Sequence, residues 1–215
     1  MSKKKFYFIV FEGIEGSGKS YQSKKLYKNI IKAGFNPILT REPGGTKTAE
    51  FIRALILKDY FKQIKNDNFD KYTDTLLYLA ARNEHVKKKI EPAKLKKKIL
   101  ICDRFTDSTI AYQVYGKGVD KKLIEFIHKY ILKNIKPDLT IVLKVKLSKA
   151  LQRLSKRKIK NRYDKFSKNF YSRAQNGFLR IAKKNKSKYL VFDNSKDDKS
   201  LQKKIFSIVR NKLNL

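Results

Sequence analysis

Residues Gly13, Ile14, Glu15, Gly16, Ser17, Gly18, Lys19 and Ser20 follow the spacing G-x-x-x-x-G-K-[ST], and that spacing suits a phosphate chain. The glycines let the backbone curl until successive N–H groups face one anion, and a helix opening behind them adds a field that favours negative charge. In such a loop Lys19 reaches the β- and γ-phosphates of a nucleotide, and the Ser20 hydroxyl ligates Mg²⁺. Two other segments carry matching chemistry. In "ILICDRF" at 99–105, Asp103 can organise the metal and its waters, and Arg104 can clamp a phosphate through two nitrogens. "TREPGG" at 40–45 brings Arg41, Pro43 and two glycines together in a turn.

These groups act together only if the fold brings them to one edge. Apolar, β-branched runs at 6–11, 37–40, 99–102, 139–145 and 189–192 predict five strands. Helix-period segments separate them. Leu26, Ile30 and Ala33 mark one face, closed by Gly34; Leu76, Leu77, Ala80, Ala81 and Val86 mark a second; Leu123, Ile127, Tyr130 and Ile131 mark a third before Pro137. Continuous apolar strands alternating with helices imply an α/β fold with a parallel sheet covered on both faces. Ligands of such sheets sit beyond the carboxyl ends of the strands, where each of the three segments begins.

The chain of 215 residues is read as a single domain, 1–215, with one mobile lid at about 150–164. Residues 144–163 hold nine Lys and Arg and no acid, a density suited to closing over bound phosphates. No apolar run is long enough for a membrane span, and the lysines ahead of residues 6–11 precede a strand, not a signal peptide. The single cysteine, Cys102, excludes an internal disulfide and suits a reducing compartment such as the cytoplasm. His85 and His128 lack ligand spacing and are given no metal or catalytic role. The net charge of +34 is spread along the chain, which points to solvated lysine faces and non-specific adhesion to nucleic acid.

The phosphate loop alone serves hydrolases, motors, GTPases and small-molecule kinases. A guanine-reading N-K-x-D segment is missing, since "NKSK" at 185–188 ends in lysine. Arginines and aromatics near the loop favour a small-molecule kinase, because phosphoryl transfer is mainly positioning and charge neutralisation. The alternatives are a kinase of another nucleotide or deoxynucleoside on the same fold, and a basic protein that binds ATP and nucleic acid.

The phosphate loop, "TREPGG", "LLYLAAR" at 76–82, "DRFTDSTIAYQ" at 103–113, "KPDLTIVL" at 136–143 and a basic segment ending "NRYD" at 161–164 together resemble the thymidylate kinase family, in order and over nearly the whole chain. The resemblance implies a P-loop fold and a homodimer. It also implies Mg²⁺-dependent transfer of the ATP γ-phosphoryl group to dTMP, in line and without a covalent intermediate, giving dTDP and ADP.

It further implies roles by position. Tyr78 stacks on thymine, Arg82 donates to a base carbonyl, and Thr109 and Gln113 bond the remaining polar edge. Tyr112 crowds the 2′ position. Arg53 and Arg104 hold the acceptor phosphate, with Pro43 beside them, and Glu15 meets the 3′-hydroxyl or the metal's waters. Because Gly16 stands where some members carry a loop arginine, the compensating cation comes from the lid: Arg153, Arg157 or Arg162, with Arg153 and Arg157 favoured. Ser155, Asp164 and Gln175 depart from the family pattern, while Arg173 fits it.

Overall fold

The computed structural model describes residues 5–58, 69–158, 161–196, 198 and 200–213. Of the segment expected to form a lid, residues 159 and 160 lie outside the described residues.

Five strands, β1 (Tyr7–Glu12), β2 (Ile38–Arg41), β3 (Ile99–Asp103), β4 (Leu139–Lys144) and β5 (Tyr189–Asp193), form one sheet in the order β2-β3-β1-β4-β5. Every pairing is parallel. Alternate residues face opposite sides. Ile9, Phe11, Ile101 and Ile141 pack with Leu26, Ile30, Ile205 and Val209, which lie on α1 (Lys19–Lys32) and α9 (Leu201–Leu213). On the other face, Phe8, Val10, Leu100 and Cys102 pack with Val86, Ile90 and Phe105. Val142 joins a third cluster with Phe170, Tyr171 and Phe178 of α8 (Lys168–Lys184). Burial on both faces explains why the inner strands β1, β3 and β4 read as nearly continuous apolar runs, while the edge strands β2 and β5 stay partly exposed.

The remaining helices are α2 (Lys47–Leu57), α3 (Lys71–His85), α4 (Glu91–Leu95), α5 (Thr106–Thr109), α6 (Lys121–Leu132) and α7 (Leu147–Ser155). Wide π-type turns at Val86–Ile90 and Ile110–Gly116 extend α3 and α5, and a short 3₁₀ turn at Arg162–Lys165 follows α7. Among the described residues no helix is long and apolar enough to cross a membrane.

Two helix faces differ from the sequence reading. On α3, Leu76 and Ala80 point to solvent, while Asp74, Thr75, Leu79, Arg82 and His85 are buried. Polar groups that satisfy one another occupy the inner face, so counting apolar residues alone rotates the helix. On α6, Ile124 is buried and Tyr130 is exposed. Ala33 also lies outside, next to Gly34, whose φ of 86° ends α1.

Candidate active site

Parallel register brings Glu12, Arg41 and Asp103 to the same edge: Phe11 and Arg41 both pair with Asp103, and Glu12 pairs with Val142. The phosphate loop, the "TREPGG" turn and the Asp103–Arg104 corner therefore leave the sheet side by side, around a cavity of about 510 Å³.

Gly13 has a φ of 139°, and a Cβ there would lie 2.4 Å from the Leu143 carbonyl oxygen; only glycine lets the chain turn so close to β4. Gly16, at φ 73°, faces α7, where a Cβ would meet the Ala150 carbonyl oxygen at 2.6 Å. A loop arginine at that position is sterically barred. The loop is braced from the side: Asn194 Nδ2 donates to Ser17 O at 2.8 Å, and Arg153 donates to Gly16 O and Asn194 O, each at 2.7 Å.

Lys19 is buried, and its Nζ donates to Ile14 O at 2.8 Å. Burial, with Arg104 next, pushes its ammonium down to about 8. Ser20 Oγ donates to Asp103 Oδ2, while Asp103 Oδ1 is buried with no hydrogen-bond partner among the described residues. A hydroxyl and a carboxylate with one oxygen to spare fit Mg²⁺, which keeps several waters and takes further oxygens from phosphates.

Arg104 adopts a left-handed φ of 76°, a sparsely populated backbone for a residue with a Cβ. One terminal nitrogen donates to Gly13 O and Ser108 Oγ, both at 3.0 Å, and the other to Glu15 Oε1 at 2.6 Å. Glu15 also accepts from the Tyr112 hydroxyl. Burial raises the Glu15 carboxyl, but Arg104 and Lys19 outweigh it and hold the group below the usual carboxylate range. Glu12, fully buried just before the loop, accepts from the backbone N–H groups of Phe105 and Ser108 and from Ser108 Oγ. It fixes the corner from which Arg104 projects.

Farther along the cavity, Asp74, Tyr78 and Arg82 follow at four-residue spacing on one face of α3. Thr109 and Gln113 stand opposite, both almost wholly buried. The Arg82 guanidinium makes four hydrogen bonds, from Nε to Glu42 Oε2, from one Nη to Phe105 O, and from the other Nη to Thr109 Oγ1 and His128 Nε2, and it is ion-paired with Glu42. Burial and Arg82 push the His128 imidazole down to about 3, so it accepts as a neutral ring. His85, given no role from sequence, bridges Glu42 Oε1 and Thr40 Oγ1 at 2.8 Å each. Arg53 lines the cavity beside Pro43, whose carbonyl accepts from it at 2.6 Å.

The basic arginines separate. Arg157 lies at the cavity, about half-exposed, with its guanidinium on Asp164 at 2.8 Å. Arg153 donates to Gly16 O of the phosphate loop and to Asn194 O and is not among the residues lining the cavity. Arg162 reaches Asp74 instead of the loop. Arg173 donates to Gly116 O, and Gln175 pairs with the Val145 backbone. Tyr163 and Asn161 line the cavity and were not singled out in the sequence. The signal was available in "NRYD", where one aromatic breaks a basic run, but its partners are distant in sequence.

A parallel sheet with a phosphate loop, a spare carboxylate beside it and an arginine-and-tyrosine slot within the same cavity defines a P-loop nucleoside monophosphate kinase. The thymidylate kinase family model matches residues 11–205, and the chain belongs to that family. It is 46% identical over 178 residues to the thymidylate kinase of Wolbachia pipientis wMel, covering 81% of this chain and 84% of that one. Identity to the thymidylate kinase of the Culex pipiens Wolbachia strain wPip is 43% over 210 residues, covering 95% and 96%. The crystal structure of thymidylate kinase from Ehrlichia chaffeensis superposes with a TM-score of 0.74 at 34% identity, covering 95% of this chain and 99% of that one.

Proposed function

We propose that the protein catalyses Mg²⁺-dependent transfer of the γ-phosphoryl group of ATP to dTMP, directly and in line, giving dTDP and ADP. The observation that carries the reading is continuity: Lys19, Ser20 and Asp103 at one end of the cavity and Tyr78, Thr109 and Gln113 at the other, with Arg104 and Glu15 between them.

In this reading the phosphate loop and Lys19 hold the donor phosphates, and Ser20 and Asp103 hold Mg²⁺. When bound, the ion neutralises charge on the donor phosphates. Arg104, with Arg53, orients the acceptor phosphate, which is already anionic and needs no strong base. Glu15 takes the 3′-hydroxyl, and Tyr112 fills the space a 2′-hydroxyl would need. Tyr78 offers its ring to the base. Thr109 accepts from Arg82 and so keeps its own hydrogen for a base carbonyl, while the Gln113 carbonyl accepts from the ring N–H. Arg82 already holds Thr109 Oγ1 with one terminal nitrogen, so part of its role is to aim Thr109. Arg157 supplies the compensating cation when the 150–164 segment closes.

A homodimer is supported by exposed apolar side chains on the neighbouring helices α2, α3 and α6, among them Phe51, Leu76, Phe126 and Tyr130. The mass in solution by light scattering tests it. ADP release from Mg-ATP, with dTMP, dUMP, dGMP, dCMP, UMP and thymidine offered separately to nuclease-treated protein, tests the reaction. Stimulation by dTMP above the others is expected; none by any acceptor refutes the reading.

A further inference from the structure

Asp74 lies on the inner face of α3, one turn before Tyr78, with no exposed surface. Its carboxylate collects three donors from two distant segments. Lys117 Nζ reaches Oδ2 at 2.6 Å, the Tyr163 hydroxyl reaches Oδ2 at 2.7 Å, and Arg162 reaches Oδ1. Burial raises the Asp74 carboxyl, but Lys117 and Arg162 outweigh it and hold the group below its ordinary value. It is therefore an anion throughout the neutral range.

The Tyr163 hydroxyl is fully specified. A phenol has one hydrogen and two lone pairs. The hydrogen goes to Asp74, while Gln113 Nε2 at 3.4 Å and Lys117 Nζ at 3.3 Å donate to the oxygen. The Tyr163 ring is thus held edge-on to Tyr78 at 5.9 Å and to Tyr112 at 6.0 Å, where it walls the acceptor slot. Tyr163 also belongs to the turn that ends the basic segment. Asn161 and Asp164 cap that turn reciprocally, and Asp164 carries Arg157. A short path of bonds runs from Asp74 through Tyr163 and Arg162 to the turn, and from the turn to Arg157.

We infer that Asp74 is a positioning residue that locks the end of the lid to the acceptor slot, acting through the Tyr163 hydroxyl on acceptor binding and through the 161–165 turn on Arg157. Arg162 is an anchor in this arrangement, not a cation for the transferring phosphoryl group. Bonding to a charged group is stronger than bonding between neutral partners, so the lock depends on the charge of Asp74 as well as its shape.

The inference rests on the dTMP kinase reading, and the wild-type assay separates the two: without dTMP-dependent ADP release the reading itself fails. Given that activity, Tyr163→Phe and Asp74→Asn are each expected to raise KM for dTMP about tenfold with KM for ATP within about twofold. Asp74→Asn should also lower kcat, which Tyr163→Phe leaves nearer wild type. The double variant should be less than multiplicative in KM for dTMP, because both changes act on the same Tyr163–Asp74 bond. Asp74→Glu, which restores the charge, should recover part of the loss. An unchanged KM for dTMP in Tyr163→Phe overturns the inference, as do multiplicative effects in the double variant or equal rises in both KM values. If Asp74→Asn does not fold, Tyr163→Phe and Asp74→Glu carry the test.

Discussion

A terminal nitrogen of Arg104 lies 2.6 Å from Oε1 of Glu15, in a contact that leaves only 15% and 13% of the two side chains exposed. The pair joins the carboxyl end of β3 to the phosphate loop. Burial works against the cation, but Glu15 and Tyr112 outweigh it and hold Arg104 charged well above its ordinary value. The left-handed backbone at Arg104 and its bonds to Gly13 and Ser108 fix the plane of the guanidinium before any phosphate arrives. Replacing that plane with a point charge keeps the sign and loses the fork. Arg104→Lys is expected to lower kcat/KM for dTMP about a hundredfold. Steady-state kinetics at saturating ATP check it, and a loss below threefold or so would remove Arg104 from the acceptor phosphate.

Lys19 gives the free enzyme a pH limb. With its ammonium pushed down to about 8 by burial and then by Arg104, kcat/KM for ATP should be level below that pH and fall as pH rises through it, since the cation is the form that meets the phosphates. Bound phosphates favour the cation, so kcat should stay level to higher pH. The two profiles, measured to about pH 9.5, separate these cases. Coincident limbs would place the titrating group elsewhere.

Strand positions were legible because each strand carries an apolar run ahead of a charged carboxyl end; the structure shifts their expected bounds by no more than one residue at either end. The phosphate loop was equally plain, since its glycines answer to backbone geometry that few other sequences meet. What the sequence hid was the inner face of α3. Asp74 and His85 look like solvent-facing residues until Lys117 and Glu42 are known to face them. For the same reason the sequence could favour Arg153 and Arg157 over Arg162 but not assign each its part: their partners, Gly16, Asp164 and Asp74, are chosen by the path of the chain.

Glu12 should make stability depend on pH. Burial, with Asp107 next, raises its carboxyl from 4.5 to about 8 in the folded protein. Between those values the folded state keeps a proton that the unfolded state releases. The stability contributed by this group is therefore fully present below about 4.5 and is lost as pH rises to about 8. Glu12→Gln keeps the acceptor for the Phe105 and Ser108 N–H groups and does not titrate. Its Tm minus that of wild type should climb by several degrees from pH 5 to pH 8. Scanning calorimetry at matched ionic strength measures it, and a difference independent of pH would mean that Glu12 is charged throughout.

The three arginines of the basic segment should fail in three different ways. Among the described residues the Arg157 guanidinium is held by one carboxylate, Asp164, at the edge of the cavity, with 41% of its side chain exposed. Turning toward the phosphates would exchange this ion pair, whose Asp164 side is only 1% exposed, for one with the transferring group. Arg157→Ala is expected to lower kcat by about a hundredfold or more, with KM for dTMP within threefold, as for a cation acting only on the transferring group. Arg153 braces Gly16 and Asn194, so Arg153→Ala should loosen the phosphate loop, raise KM for ATP and lower Tm. Arg162 lies on Asp74, and Arg162→Ala should act mainly on KM for dTMP. Single-turnover rates at saturating substrates isolate the chemical step. A full-sized loss of that rate in Arg153→Ala with none in Arg157→Ala would exchange their roles, because a bracing residue cannot slow chemistry alone while leaving the binding of both substrates intact.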